Sequence, residues 1–534
     1  MPRKRQKKPT PARPAVRRTA PPAEIEHLLD EFESQTLEGD ATAALAGLDT
    51  LYASRRSLPD IVAGRLVGGR TKLPEYELQL LAAATGAQAP RYLRRIAADR
   101  QAPDATRLEA QRLVGWPERG AVKRRVSFLA SLANPEAALL EAINRAFLAY
   151  AWPAEALAEV LDHLVALPPD RRLAIIRTAI ERRLTGTALL LKALLHVDDP
   201  AVQRTALSGL VEYRLPWSAA AVERLTTITP NDILRAEARR ARDQILSSAL
   251  GAPQADAIDL PPVDRVLLSV VDSAGGQLLL ILRSQGPEVY QLTNLFLDDV
   301  TGIRDVHGAT GVAASQADDI AAVFAAQGVD LVEVDLAVAR GAVQSALGVN
   351  AEAGRLPPPA FELWEPLLHE SLPPEAAEAV TVPELDDAAA GRARPGRHRH
   401  RLVDHPFFAT WLPDMDRLDA VFDEVPPPPA SGRLTERQYR PLIDAWLDPP
   451  TRELVRRRLR RQAWLLDRGG ESGLRDEALA IAAGLPAADV RDPALKQRIG
   501  SLYRAGAEEL FSTGYGLNPT GTPEQQAQGE RLVA

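Results

Sequence analysis

The sequence predicts a mainly α-helical protein built in parts: a helical-repeat solenoid, a small α+β domain with an antiparallel sheet, and a helical C-terminal region. Three observations lead to this fold class. The 534 residues exceed what one hydrophobic core serves. Apolar residues reach 46% while aromatic residues are only 5%, a balance rich in the helix formers Ala and Leu. The stretch after residue 262 changes from helical to strand-like periodicity.

Residues 1–22 form a basic, Pro-rich segment with eight Lys or Arg side chains and no acid. Such a segment buries too little apolar surface to offset the entropy of ordering, so we expect a disordered tail. The tail would attract nucleic acid or an acidic partner, or fold back on the acidic middle of the chain, or only aid solubility. The candidate contact residues here are Arg3, Lys4, Arg5, Lys7 and Lys8.

Residues 23–250 predict helix after helix, separated by Pro, Gly, Asp or Asn. The clearest stretch is DDPAVQRTALSGLVEY, where Asp199 suits an N-cap and Pro200 the first helical position. Two stretches echo it, APDATRLEAQRLVGW and PNDILRAEARRARDQIL, the latter with Asn231 as the cap. The positions expected to face inward are Val202, Ala206, Leu207 and Leu210, and then Ile233, Leu234, Ala238, Ala241 and Ile245.

This unit resembles that of HEAT-repeat proteins: an acid-Pro start, then an Ala/Leu/Val-periodic helix with Arg on its outer side. The repeats are degenerate, because the spacing between the matching stretches is not constant. The resemblance implies a curved scaffold that binds a partner along its inner surface, and it brings no shared catalytic residues. A compact helical bundle without a binding groove is the alternative.

Residues 251–262 predict a linker, and residues 263–370 a small α+β domain. Residues 252–390 hold 5 basic and 22 acidic side chains, a net charge of −17 that would repel nucleic acid. The stretch VDRVLLSVVDSAGGQLLLILR predicts a hairpin around Ser273–Gly276. A third strand is expected at Val289–Leu297, a helix at Gln316–Gln327 and a fourth strand at Val329–Asp335.

Residues 371–397 predict a second linker, residues 398–511 a helical region, and residues 512–534 a loose tail. The helix RELVRRRLRRQAWLL would place Val455, Leu459, Gln462, Ala463 and Leu466 on one side, and its basic residues Arg456, Arg457, Arg460 and Arg461 on the other. Those arginines would contact phosphates or the acidic middle domain. Alternatively their stems cover apolar surface and their heads pair with neighbouring acids.

Two clusters could hold a metal ion. The stretch LDDVTGIRDVHG gathers Asp298, Asp299, Asp305 and His307, which suit metal binding or acid–base chemistry. Ordinary turns, begun by Asp298 and Asp299 and then by Asp305 and Gly308, are the alternative interpretation. The histidines of GRHRHRLVDH form the second cluster, but the neighbouring arginines oppose a divalent cation there.

The composition limits the classes of function. The absence of cysteine excludes disulfides, thiolate metal sites and a cysteine nucleophile, and it fits a reducing cytoplasm. We expect no membrane span, no cofactor and, from the Ala, Arg and Pro content, a GC-rich bacterial source. The leading hypothesis is a scaffold that binds a protein partner. Nucleic-acid association through the basic segments and a metal-dependent enzyme in the acidic domain are the alternatives.

Overall fold

The structure is a computed structural model that falls into two compact units, divided between Thr187 and Ala188. It describes residues 22–37, 57–115, 121–149, 152–249, 258–272, 275–286, 289–326, 329–372, 385 and 449–485. The mainly α-helical fold class is confirmed: successive helices lead to a five-stranded antiparallel sheet, and further helices follow it. The assignment of the helices to HEAT repeats and the predicted domain boundaries stay predictions.

The first unit consists of helices in its described ranges. They are α1 (Pro22–Leu37), α2 (Leu58–Val67), α3 (Pro74–Thr85), α4 (Ala89–Ala98), α5 (Asp104–Val114), α6 (Ala121–Leu129), α7 (Pro135–Ala149), α8 (Ala154–Ala166) and α9 (Pro169–Glu181). Proline occupies the first turn of several of them, where its missing N–H has no partner to lose. A core of Leu and Ile side chains joins α1 to α5.

A buried arginine crosses this core. Arg65 on α2 donates to Glu77 on α3 at 2.7 Å and to Asp30 on α1 at 2.7 Å. Glu33 of α1 lies 3.4 Å from the same guanidinium and accepts a hydrogen bond from the backbone N–H of Lys72 at 3.0 Å. Three carboxylates thus share one guanidinium and link three helices, and burial raises the pKa of Glu77 to about 7 despite the Arg65 charge.

The second unit begins with four helices: α10 (Thr187–Leu194), α11 (Pro200–Tyr213), α12 (Ala219–Ile228) and α13 (Asp232–Ala249). The first residue of α10, Thr187, is the last residue of the first unit. The two predicted N-caps are confirmed: Asp199 accepts from the N–H of Ala201 at 3.0 Å, and Asn231 from that of Leu234 at 3.1 Å. The predicted inward positions are buried with one exception. Ile233 is 64% exposed, because the Asn231 cap places it in the first turn on the solvent side.

The sheet follows, with strands β2 (Val263–Ser269), β3 (Gly276–Gly286), β4 (Val289–Asp298), β5 (Gly302–Ala313) and β6 (Leu331–Glu333). Its order is β5-β4-β3-β2-β6, and every neighbouring pair is antiparallel. The short strands β1 (Ile258–Asp259) and β7 (Ser371–Leu372) pair separately. The predicted hairpin and third strand are therefore confirmed, and the fourth predicted strand is shortened to Leu331–Glu333.

Strand β5 corrects the sequence-based prediction of a second turn at Asp305 and Gly308, because both residues lie within an extended edge strand. Two glycines allow this strand to pack closely against its neighbours. Gly302 has a φ of +83°, and a Cβ on Gly308 would lie 2.2 Å from the Leu292 carbonyl oxygen and 2.6 Å from the Trp364 ring. Glycine at 308 thus lets Trp364 pack directly on the strand.

The other helices of the second unit are α14 (Ala314–Ala326), α15 (Leu336–Glu352), α16 (Phe361–Trp364, continued by a 3₁₀ turn over Glu365–Leu368), α17 (Pro449–Arg468) and α18 (Ser472–Gly484). Helix α14 packs on the face that carries Leu278, Leu280 and Leu292. Leu279, Ile281 and Leu295 alternate with them, lie on the opposite face and are buried as well. Helix α15 packs against β2, β4 and β5.

One buried arginine ties the sheet to the segment after α16. Arg283 on β3 donates to the carbonyl oxygen of Leu367 at 3.0 Å and to those of Pro261 and His369. Burial lowers the pKa of Arg283 to about 10. Backbone carbonyls satisfy this guanidinium, so it fixes chain segments in place.

Candidate functional site

The predicted acidic cluster separates into two places in the structure. Asp298 occupies the turn between β4 and β5, where its Oδ1 accepts from the N–H groups of Val300 at 2.8 Å and Thr301 at 2.7 Å. This is the turn role that the sequence offered as the alternative to metal binding. Arg304 approaches the same carboxylate, with 3.7 Å between Nη1 and Oδ2.

Asp299 is engaged by the arginine-rich helix. Arg458 on α17 donates from Nε to Asp299 Oδ2 at 2.9 Å and from Nη2 to Oδ1 at 2.7 Å, and both side chains are buried. Gly275, with a φ of +99°, packs so closely on Asp299 that a Cβ there would overlap the carboxylate. This bidentate pair leaves no room for a metal ion at Asp299.

Helix α17 therefore docks on the acidic domain through its own residues. Gln462 accepts a hydrogen bond from the backbone N–H of Val271 at 3.0 Å, and Arg468 donates to Asp335 at 2.5 Å. The apolar side predicted from the sequence is confirmed, because its five members are all buried: Val455, Leu459, Gln462, Ala463 and Leu466. The arginines that pair with acids of this domain are Arg458 and Arg468, which were not among the four predicted contact residues.

The four arginines predicted to bind a partner have different surroundings. Arg461 is buried and lies 3.4 Å from the hydroxyl of Ser345, and Arg456 pairs with Glu453 at 3.2 Å. Arg457 and Arg460 are half-buried. A role of these residues in partner binding stays a prediction, and the geometry gives Arg461 a place inside the fold.

Asp305 and His307 lie on β5 and line a different concavity from the one that Asp299 lines. The His307 Nδ1 lies 3.5 Å from Asp305 Oδ2, and both side chains are mostly exposed. Asp305 also accepts a hydrogen bond from the N–H of Val306 at 2.8 Å. Within the described ranges, no three His, Asp or Glu side chains come together in a way that could hold a metal ion. The metal-dependent enzyme stays a hypothesis that this geometry does not favour.

These two residues border an open cleft of about 590 Å³ over one end of the sheet. Its floor comes from Leu278, Asn294 and Phe296, and its far wall from Phe324 of α14. The Arg304 guanidinium lies over the Phe296 ring at 5.3 Å from its centroid. Leu278, Phe296 and Phe324 also belong to the apolar cluster between the sheet and α14, so the cleft borders that cluster.

A second concavity, here called the α11–α13 groove, lies between two helices of the second unit. Its volume is about 540 Å³. Apolar groups from Leu207, Val211 and Ala241 line its centre, and charged residues of both signs line its rim: Arg204, Glu212, Glu237 and Arg240. Arg204 and Glu237 pair across it at 3.0 Å.

A buried ion cluster, which we call the Glu362 cluster, was not predicted from the sequence. Glu362 on α16 is fully buried and accepts from Arg224 of α12 at 2.8 and 2.7 Å. His196 Nε2 lies 3.0 Å from Glu362, and Lys192 Nζ lies 3.4 Å from it. Lys192 also donates to Glu365 at 3.1 Å.

The electrostatics of the Glu362 cluster favour ionised carboxylates. Burial alone would raise the pKa of Glu362, but the charges of Arg224, His196 and Lys192 outweigh it and lower that pKa to about 2. Glu365 behaves in the same way: burial opposes ionisation, yet Lys192 and the hydrogen bond from His369 lower its pKa. These values indicate a paired structural network, with no carboxylate poised to exchange protons near neutral pH.

Several predicted residues lie outside the described residues: Arg3, Lys4, Arg5, Lys7, Lys8, His398, His400 and His405. Comparisons with protein-family models, with curated proteins and with solved structures find no match for this chain. None of the helices in the described ranges combines the length and the apolar character that a membrane crossing requires. The candidate sites are therefore judged on their own geometry.

Proposed function

We propose that the chain is an interaction protein that binds a protein partner along its helical surface, with the α11–α13 groove as part of the binding face. One observation carries this proposal. Ile233 is 64% exposed on α13 and lies one helical turn before Glu237, in line with Arg240 and Gln244. A single exposed apolar side chain is ordinary at a protein surface, but one on the helix face that leads to the apolar groups of a groove offers a partner a further contact there.

The chemistry of the groove indicates the kind of partner. An apolar centre with a polar rim is the usual arrangement of a protein interface. A partner helix with an apolar stripe at i, i+3, i+4 and i+7 would place that stripe on Leu207 and Val211. The rim carries both signs of charge, so the matching helix would carry both signs beside its stripe.

A capture experiment with full-length tagged protein in its native lysate tests this function. The lysate is treated with nuclease and washed at moderate salt, and the eluates of the wild type and two variants are compared. Ile233→Lys should lose the specific partner, because a charge would replace the exposed apolar side chain beside the groove. Leu246→Lys should retain it, since Leu246 is 45% exposed on the other side of the same helix.

Both substitutions are at exposed positions, so neither should change stability by more than about 0.5 kcal/mol. Equal retention by Ile233→Lys and the wild type would contradict the groove as the binding face. Loss of all captured material on nuclease treatment would instead favour the nucleic-acid alternative through the basic segments. We also propose, as parts of the same function, that the helices are HEAT-type repeats and that the protein works in the cytoplasm, which its lack of cysteine supports.

A further inference from the structure

The cleft over the open end of the sheet has the size of a small-molecule site. Its volume of about 590 Å³ lies within the range of about 300–1,000 Å³ that ligand pockets usually have. Four strands contribute to it: β2 and β3 at one side, and β4 and β5 at the other. We propose that this cleft binds an uncharged, amino-substituted aromatic ring of the nucleobase type, as the free base or nucleoside.

The first argument is an unused amide in the floor. The Asn294 Oδ1 is buried and has no hydrogen-bond partner among the described residues. A buried acceptor without a donor costs free energy, which a ligand N–H would recover. A carboxamide carries an acceptor oxygen beside a donor NH₂ group. An aminated ring presents a donor amino group beside an acceptor ring nitrogen, so the two can pair in either orientation of the amide.

The second argument is a stacking surface beside that amide. Phe296 lies two residues after Asn294 on the same face of β4, and Arg304 covers its ring. The Arg304 side chain is 54% exposed and lines the cleft, so its planar guanidinium is accessible to a ligand. Nucleobases stack on aromatic rings and on guanidinium planes in this manner.

The third argument concerns charge and excludes phosphorylated ligands. Two carboxylates, Asp272 and Asp305, line the cleft against the single guanidinium of Arg304. Residues 252–390 carry a net charge of −17, which adds a repulsive field for anions. Carboxylates also accept hydrogen bonds from ring N–H and amino groups. An uncharged base or nucleoside therefore suits the cleft better than a nucleotide.

The test is calorimetric titration of the full-length protein with adenosine, guanosine, cytidine and uridine, and with the 5′-monophosphate of whichever binds best. We expect saturable binding of at least one nucleoside and at least roughly tenfold weaker binding of its monophosphate. Asn294→Leu should weaken nucleoside binding by about tenfold, the usual worth of one hydrogen bond.

A melting curve separates binding from folding in that variant. Asn294→Leu should leave the melting temperature unchanged or raise it, because the buried Oδ1 has no described hydrogen-bond partner to lose. Arg304→Gln should also weaken binding, whereas Arg265→Gln should not. Arg265 is a partly exposed β2 arginine that pairs with Asp318 at 2.9 Å and does not line the cleft.

Three results would overturn the proposal: no binding of any of the four nucleosides at millimolar concentration, equal or tighter binding of the monophosphate, or unchanged affinity in Asn294→Leu. None of them bears on the α11–α13 groove, whose test uses other residues and a protein partner.

Discussion

Glu362→Gln removes the negative charge at the centre of the Glu362 cluster while keeping the volume of the side chain. Arg224 loses the carboxylate that accepts from it at 2.8 and 2.7 Å, whereas Lys192 keeps Glu365 at 3.1 Å. Breaking a buried ion pair by removing one partner usually costs about 3–5 kcal/mol, because the other charge stays buried and uncompensated. We therefore expect a loss of that size in the second unit.

Hydrogen exchange followed by mass spectrometry on the full-length protein measures this loss locally. Peptides from α12 and from residues 361–369 should exchange on the order of a hundredfold faster in Glu362→Gln, the rate equivalent of about 3 kcal/mol. Glu223→Gln is the matched control on α12. Glu223 pairs with Arg242 at 2.5 Å at the surface, and such pairs are worth about 0–1 kcal/mol. Similar exchange in both variants would refute the reasoning.

Two further predictions concern buried charges in the same unit. The pKa of Glu362 is about 2 in the folded protein and near 4.3 in an unfolded chain, so the unfolded state binds more protons between these values. The free energy of unfolding should stay constant above about pH 5 and decrease as the pH falls towards 2. Melting curves of Glu362→Gln, recorded over the same pH range, should lack the part of this decrease that Glu362 causes. Separately, Arg458→Met should destabilise the docking of α17 by about 3–5 kcal/mol, since it leaves Asp299 buried without its partner. Adding Asp299→Asn to Arg458→Met should recover part of this loss in urea unfolding, and no recovery would argue against the pair.

Much of the helical part could be predicted from the sequence, because local signals determine it. Asp199 and Asn231 mark helix starts by their own hydrogen bonds to backbone N–H groups. The prediction that Ile233 faces inward was wrong, because helical periodicity groups residues on one face but does not fix which side of the first turn faces solvent. Contact between the arginine-rich helix and the acidic domain was one of the alternatives that the sequence offered. Only the fold could show that Asp299 accepts the hydrogen bonds of Arg458.

Strand β5 could not be predicted because its sequence lacks the usual alternation of apolar residues. It is an edge strand that carries Asp305 and His307 towards the open cleft, so polar residues occupy one face. Gly308 looks like a turn signal in the sequence. In the fold it gives the Trp364 ring room to approach, a reason that involves a residue far along the chain.

The Glu362 cluster had a signal that sequence reasoning overlooked. Lys192 and His196 interrupt a strongly apolar helical stretch, TALLLKALLH, and Glu362 sits between apolar and aromatic residues in FELWEPLL. Charged residues are almost never fully buried unless they are paired. A lysine and a glutamate in such surroundings therefore predict a buried pair, although they do not identify the partners.

The pairing of Asp299 with Arg458 also has a consequence for synthesis. The two residues are 159 positions apart, and ribosomes add about 5–20 residues per second. Asp299 therefore waits roughly 8–30 s for Arg458, and the five-stranded sheet, whose last strand ends at Glu333, is complete for roughly 6–25 s before that arginine has been made. During that interval the end of the sheet that α17 later covers remains wet and negatively charged, a state that only the nascent chain displays.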